Sequence, residues 1–208
     1  MEIVLDLGSG NSCRNNPQRV ADTIHAVKNA DNGKHTIILK WQIFKKAGIN
    51  IPLDEVCFWK AYGLAAELGY KTTASVFDRE SLKFLLNFDV PFVKIANDRS
   101  LDYLIGEIPR RLPVYYSISS VNESKRPREL IYLACVSKYP ANLIDYIPLM
   151  GLCPGLSDHT VGTELVKMWR PEIFEKHFVL ERSDDNPDGG PFAITPAELK
   201  EFLEEYDK

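Results

Sequence analysis

Gly155-Leu-Ser-Asp-His-Thr-Val-Gly162 is followed, one helix later, by Ile173-Phe-Glu-Lys-His-Phe-Val-Leu180. The first stretch reads as the end of a buried strand, a polar turn and the start of a helix. It brings Ser157, Asp158 and His159 to one strand tip. The second reads as the next strand and carries His177. The protein has four histidines, and these two fall one strand–helix repeat apart. If the two strands are parallel neighbours, His159 and His177 converge at the carboxyl ends of the sheet, where α/β proteins place their chemistry.

The same alternation extends in both directions. Apolar runs at Ile3–Leu7, Thr36–Phe44, Thr72–Phe77, Val90–Ala96, Pro113–Ser119 and Leu130–Val136 read as strands, with a less distinct one at Gly151–Leu156. Between them, helical spacing starts at Pro17, at Asp54 as an N-cap and at Asp78 as another. Leu101–Arg110, Asn142–Met150 and Gly162–Trp169 read as further helices, and Asn122–Glu129 as a single charged turn. Pro196–Tyr206 is the last helix, with a capping box from Thr195 and Glu198. Eight strands with helices or short connections predict a single domain over residues 1–208, a compact α/β fold of the (β/α)8 TIM-barrel type. An open doubly wound sheet is the alternative. Gly8-Ser-Gly10 is too short for a dinucleotide fingerprint. Phe58, Trp59, Tyr62, Phe84 and Phe88 are expected in the core.

Composition narrows the classes. The 208 residues are 45% hydrophobic and 26% charged, with a net charge of −4. That suits a folded domain and argues against nucleic-acid binding through phosphates. No apolar run reaches the ~20 residues of a membrane span, and the first residues lack a signal-peptide pattern, so a cytoplasmic protein is expected. Cys13, Cys57, Cys135 and Cys153 have no metal-type spacing and read as reduced thiols in or near the core.

Polar residues at the ends of apolar strands mark the candidate site. They are Asp6, Lys40, Gln42, Ser75, Lys94, Asn97, Ser117, Ser137, Tyr139, Ser157, His159, Glu175 and His177. Lys40 and Lys94 interrupt apolar strands, and a lysine there costs several kcal/mol unless it meets an anion. Two such lysines with several hydroxyls fit a phosphate or carboxylate pocket. The competing reading pairs them with a structural carboxylate such as Asp6 or Glu175. Two histidines at neighbouring strand tips suit a shared divalent ion of the Mn²⁺ or Zn²⁺ type, with coordination positions left for water and substrate.

These pieces together resemble the sialic acid synthase family of N-acetylneuraminate and related nonulosonic acid synthases. Gly155-Leu-Ser-Asp-His-Thr160 and Phe174-Glu-Lys-His-Phe178 resemble its most specific motifs. Lys40-Trp-Gln-Ile-Phe44, Ala74-Ser-Val-Phe-Asp78, Pro91-Phe-Val-Lys-Ile-Ala96, Cys135–Pro140 and Asn186-Pro-Asp188 resemble others. The resemblance implies a TIM barrel that condenses phosphoenolpyruvate with an N-acetylmannosamine-like sugar and releases phosphate. It implies Mn²⁺ or Mg²⁺ on His159 and His177. Phosphoenolpyruvate would lie on Lys40, Ser75, Lys94, Asn97, Ser117, Ser137 and Ser157. The sugar would meet Gln42, Tyr139 and Arg99, and Asp6 and Asp188 would join the histidines in catalysis.

The chain also departs from the family pattern. Asp6 stands where the family has glutamate, and Arg99 where it has a glutamate near the metal. Asn97 replaces a serine, Ser75 a threonine and Ser137 an asparagine. The family's C-terminal antifreeze-like domain, which supplies a sugar-binding arginine to a partner subunit, has no counterpart after the last helix. A homo-oligomer, or a partner chain supplying that domain, is the corresponding expectation. Two alternatives follow from the departures: a different metal-dependent aldolase or lyase, and a non-catalytic ligand-binding or partner subunit.

Overall fold

A computed structural model of the chain describes residues 1–45, 50–120, 129–206 and 208. Its eight strands are β1 Glu2–Asp6, β2 Thr36–Ile43, β3 Lys71–Val76, β4 Val93–Ile95, β5 Val114–Ile118, β6 Ile131–Cys135, β7 Gly155–Asp158 and β8 Ile173–His177. All pair in parallel in sequence order, and β1 pairs with β8 to close the barrel. That closing ladder excludes the open sheet. The described helices are α1 Gly10–Cys13, α2 Pro17–Ala30, α3 Glu55–Glu67, α4 Arg79–Leu85, α5 Asp102–Ile105, α6 Glu164–Trp169 and α7 Pro196–Tyr206. No described helix is long and apolar enough to cross a membrane, and all four cysteines are buried free thiols.

Local chemistry sets several boundaries differently from expectation. β7 begins at Gly155 rather than Gly151, because Gly151 takes a left-handed φ of 74° and Pro154 has no N–H to give to a ladder. Ser157 and Asp158 are therefore strand residues. Leu101–Arg110 divides into a 3-10 turn at Arg99–Leu101 and the single turn of α5. Leu143–Leu149 is 3-10 with Pro148 inside it. Most of the charged turn expected at Asn122–Glu129 lies outside the described residues. Asp78 caps α4 through Ser81 N–H at 2.7 Å, whereas Asp54 makes no side-chain cap to α3. At α7 the Glu198 carboxylate accepts from the Thr195 N–H at 2.8 Å. Trp59, expected in the core, is 55% exposed on α3, while its neighbour Phe58 is buried.

Strand alternation splits the core in two. Outward side chains such as Leu5, Leu39, Trp41, Ala74, Tyr116, Leu156 and Phe174 pack with the helices in one large cluster. Inward side chains Val4, Ile38, Phe92, Tyr115, Leu133 and Ile173 fill the amino-terminal half of the barrel. Phe92 and Tyr115 stack there at 3.7 Å, and Tyr115 donates to Glu2 Oε1 at 2.6 Å. Gly155 belongs to this layer because a Cβ there would stand 2.7 Å from Leu133 Cγ. The apolar plug closes the amino-terminal end, and the site opens above it.

Candidate active site

Two residues further along each strand, the inward positions turn polar. Asp6 follows Val4, Lys40 follows Ile38, Ser117 follows Tyr115, and Glu175 and His177 follow Ile173. Register then sets neighbours: Asp6 lies beside both Lys40 and His177, Ser75 beside Lys94, and Ser157 beside Glu175. These groups line a cavity of about 420 Å³ together with Gln42, Asn97, Ser137, Tyr139, His159 and Asp188. Thirteen of the fourteen side chains expected at the site thus share one cavity; Arg99 is not among those that line it.

Both buried lysines meet carboxylates. Lys40 Nζ donates to Asp6 Oδ2 at 2.6 Å and to Ser75 Oγ at 2.9 Å, and stands 3.9 Å from Glu175 Oε2. Lys94 Nζ donates to Ser117 Oγ at 2.7 Å and stands 3.5 Å from Glu175 Oε1. The structural-partner reading of the lysines therefore holds alongside their place in the cavity. Burial pushes the Asp6 carboxyl up, but Lys40 and then His177 outweigh it and hold it well below the usual range. Glu175 is likewise lowered, its burial outweighed by Lys40 and Lys94. Burial opposes the charge on Lys40, yet Asp6 and Glu175 raise its pKa. Two cations and two carboxylates thus form a charge-balanced ring.

The histidines occupy another sector. His159 Nδ1 lies 2.7 Å from the Val136 carbonyl, which fixes the tautomer with Nδ1–H donating and leaves the Nε2 lone pair free. Burial, with His177 second, pushes its pKa down to about 3. The two imidazole centroids are 5.5 Å apart. His177 Nδ1 is buried with no hydrogen-bond partner and stands 3.5 Å from Asp188 Oδ1; its Nε2 is 3.9 Å from Asp6 Oδ2. Burial raises the Asp188 carboxyl. Gln42 Nε2 bridges Asp6 at 3.1 Å and Asp188 at 2.9 Å. Gly8 makes this approach feasible: its φ is +76°, and a Cβ there would lie 2.7 Å from Asp188 Oδ2. Among the described residues, no three His, Cys, Asp or Glu side chains converge into a ready-made metal set.

Tyr139 and Phe192 form an aromatic rim. Tyr139 lies 4.2 Å from the His159 ring and 5.2 Å from Phe192, and is 55% exposed. Phe192 also meets His177 at 5.1 Å. Phe192 is a site residue that strand-end polarity does not reveal, because it is apolar and lies in the loop after Asp188. Glu175, read both as a strand-end candidate and as a structural partner of the lysines, lines the cavity and has a buried Oε2 with no hydrogen-bond partner. The two-residue spacing from Glu175 to His177 was the available signal that both face inward. Asp158 and Lys176, by contrast, face outward. They pair at 3.0 Å behind the β7–β8 ladder, fully buried and outside the cavity.

Arg99, expected against the sugar, does not line the cavity and lies behind its wall. Its Nη2 donates to Asn97 Oδ1 at 3.0 Å and to the Ser117 carbonyl at 2.7 Å, and its guanidinium covers the Tyr116 ring at 4.4 Å. Strand-end acceptors, an outward aromatic ring and the Asp102 carboxylate, 3.9 Å from Nη1, hold it there.

Comparison with known proteins agrees with this architecture. A pseudaminic acid synthase of Helicobacter pylori is 29% identical over 174 residues, which is 71% of this chain and 49% of that protein. An N,N'-diacetyllegionaminic acid synthase of Legionella pneumophila is 27% identical over 170 residues, 68% of this chain and 47% of that one. The chain thus spans about half the length of these curated relatives. The crystal structure of an N-acetylneuraminic acid synthetase from Leptospira borgpetersenii serovar Hardjo-bovis, in complex with citrate, superposes with a TM-score of 0.78 at 23% identity. It covers 99% of this chain and 82% of that one, and supports the barrel fold. The NeuB family model matches residues 22–208, which include every strand from β2 onward, and the chain belongs to the NeuB family.

Proposed function

We propose that this chain joins phosphoenolpyruvate to an N-acetylmannosamine-like aldose, giving a nonulosonic acid and inorganic phosphate. The observation that carries the reading is one cavity holding two buried lysines with hydroxyls in one sector and two facing histidines in another. C3 of phosphoenolpyruvate bonds to the aldehyde carbon of the open-chain sugar. Water adds at C2, and the C2–oxygen bond to phosphate breaks.

His159 and His177 fit a divalent cation. One presents a free Nε2 lone pair on a neutral ring, and the other has a buried, unpartnered Nδ1. A Mn²⁺ or Mg²⁺ ion held there supplies Lewis acidity toward the aldehyde oxygen. The chain's own groups do the remaining work. Lys40 and Lys94, with Ser75, Ser117, Asn97, Ser137 and Ser157, bind the phosphate and carboxylate of phosphoenolpyruvate. Asp6 and Gln42 orient a sugar hydroxyl, and Tyr139 covers the sugar face. Asp188, whose carboxyl pKa is raised by burial, is the group we assign to proton transfer with the aldehyde oxygen. Because Asp6 and Glu175 already offset the two lysines, added positive charge would strengthen the binding of a phosphate dianion.

The same ring favours a second reading, in which the family scaffold binds ligands but runs a different aldol or lyase reaction, or none. Both lysines already have carboxylate partners, and Arg99 lies outside the cavity. Phosphate release separates the two readings. Phosphoenolpyruvate, Mn²⁺ and a panel of N-acetylated hexosamines are incubated with wild type and with His159→Ala. Sugar-dependent release that the variant loses supports the condensation. Absence of release with every sugar refutes it in favour of the altered-barrel reading.

A further inference from the structure

Arg99 has a guanidinium at the back of the cavity wall and no contact with the cavity itself. Arginine only donates, so its 3.0 Å contact fixes Asn97 with Oδ1 toward Arg99 and Nδ2 toward the cavity side. Asn97 Nδ2 then donates to Ser137 Oγ at 3.0 Å. Ser137 Oγ, acting as acceptor, keeps its own proton for another group. Asn97 and Ser137 both line the cavity. The chain of donors runs one way, from Arg99 through Asn97 to Ser137 and into the cavity. Each bond polarises the next.

The adjoining wall has the same polarity. Lys94 donates to Ser117 Oγ and Lys40 to Ser75 Oγ, so both hydroxyls also keep a proton for the cavity. Arg99 further occupies the Ser117 carbonyl, removing an acceptor from that wall. Beside the Asp6 and Glu175 carboxylates that share the cavity, these donors form the sector that suits an oxyanion, whose oxygens only accept.

We infer that Arg99 is a positioning residue for an oxyanion subsite formed by Asn97 and Ser137, fixing the amide so that this arm donates into the cavity. The identity of the oxyanion as an end of phosphoenolpyruvate rests on the proposed function; the donor polarity does not. Without Arg99 the amide is free to turn, and its Oδ1 then faces the bound anion.

Calorimetric binding of phosphoenolpyruvate and, separately, of inorganic phosphate tests this in wild type, Arg99→Met, Asn97→Ala and the double variant. Each single change weakens binding roughly tenfold, the scale of one charge-assisted hydrogen bond. The double variant is no weaker than either single one, because both break the same arm. Unfolding midpoints establish that each variant is folded. Ser137→Ala, which deletes the terminal donor, shows the same loss and serves if Arg99→Met does not fold. Wild-type affinity in Arg99→Met, or additive losses in the double variant, overturns the inference. So does a wild type that binds neither anion. Arg99-dependent binding without phosphate release from any sugar refutes the proposed reaction and leaves the subsite standing.

Discussion

Lys176→Met tests the division of labour within Phe174-Glu-Lys-His-Phe178 most sharply. Lys176 and Asp158 are both completely buried, with Nζ 3.0 Å from Oδ2. Nζ also donates to the Thr160 carbonyl at 2.7 Å. Removing the cation leaves a buried carboxylate without its counter-charge, which costs about 3–5 kcal/mol. The stranded Thr160 carbonyl adds about 1 kcal/mol. Asp158 keeps two donors, the Thr160 N–H and hydroxyl at 2.7 Å each, so the carboxylate is not wholly abandoned. Urea unfolding of wild type and variant at pH 7 measures the loss. Asp158→Asn in the Lys176→Met background removes the stranded charge and should recover part of the stability. A loss below about 1 kcal/mol at pH 7, or no recovery on Asp158→Asn, refutes the assignment of this pair as a buried electrostatic lock.

Three further outcomes are expected. With chelator present, stability should fall as pH drops below 6.5, because His159 is held neutral with a folded pKa of about 3 while the unfolded chain takes up the proton. The sign follows from the unfolded state binding more protons between those values, and the loss reaches about 2 kcal/mol by pH 5; urea titrations of His159→Gln should lack this component. Glu175→Gln removes one negative charge from the balanced ring and should tighten inorganic phosphate binding severalfold by calorimetry; unchanged or weaker binding would count against the ring. Gly155→Ala forces a Cβ to within 2.7 Å of Leu133 Cγ and should cost about 1–3 kcal/mol in thermal or urea unfolding, with Leu133→Ala relieving part of it.

The barrel was readable because apolar runs and turn residues alternate regularly, and parallel closure leaves few other arrangements for eight such runs. Its local breaks were not. The division of Leu101–Arg110 depends on where the Asp98 side chain caps, at Ser100 N–H, and this is a tertiary choice. The position of β7 depends on Pro154, whose carbonyl accepts from Glu172 N–H at 3.0 Å and so begins pairing with the chain entering β8. Trp59 was misplaced because α3 is apolar on most of its surface, and its pattern does not say which face is covered.

The site was legible to the extent that strand parity was legible. A period of two makes one register decision assign a whole strand. Once His177 faces inward, Glu175 must share its side and Lys176 must face the helices, whatever the residues' chemistry suggests. The same parity puts Ser157 and His159 inside and sends Asp158 outward to meet Lys176. One contiguous motif therefore serves two purposes, with inward residues for the ligand and an outward ion pair that fixes the strand presenting them. Arg99 escaped this logic because it lies beyond the end of β4, where parity no longer applies. Charge alone suggested that it would seek the ligand. What decided its place was the supply of acceptors behind the wall, the Asn97 amide and the Ser117 carbonyl, and a tyrosine face to lie on. A cation at the rim of an anion site can thus act on the ligand without touching it, through the orientation of the one amide it holds.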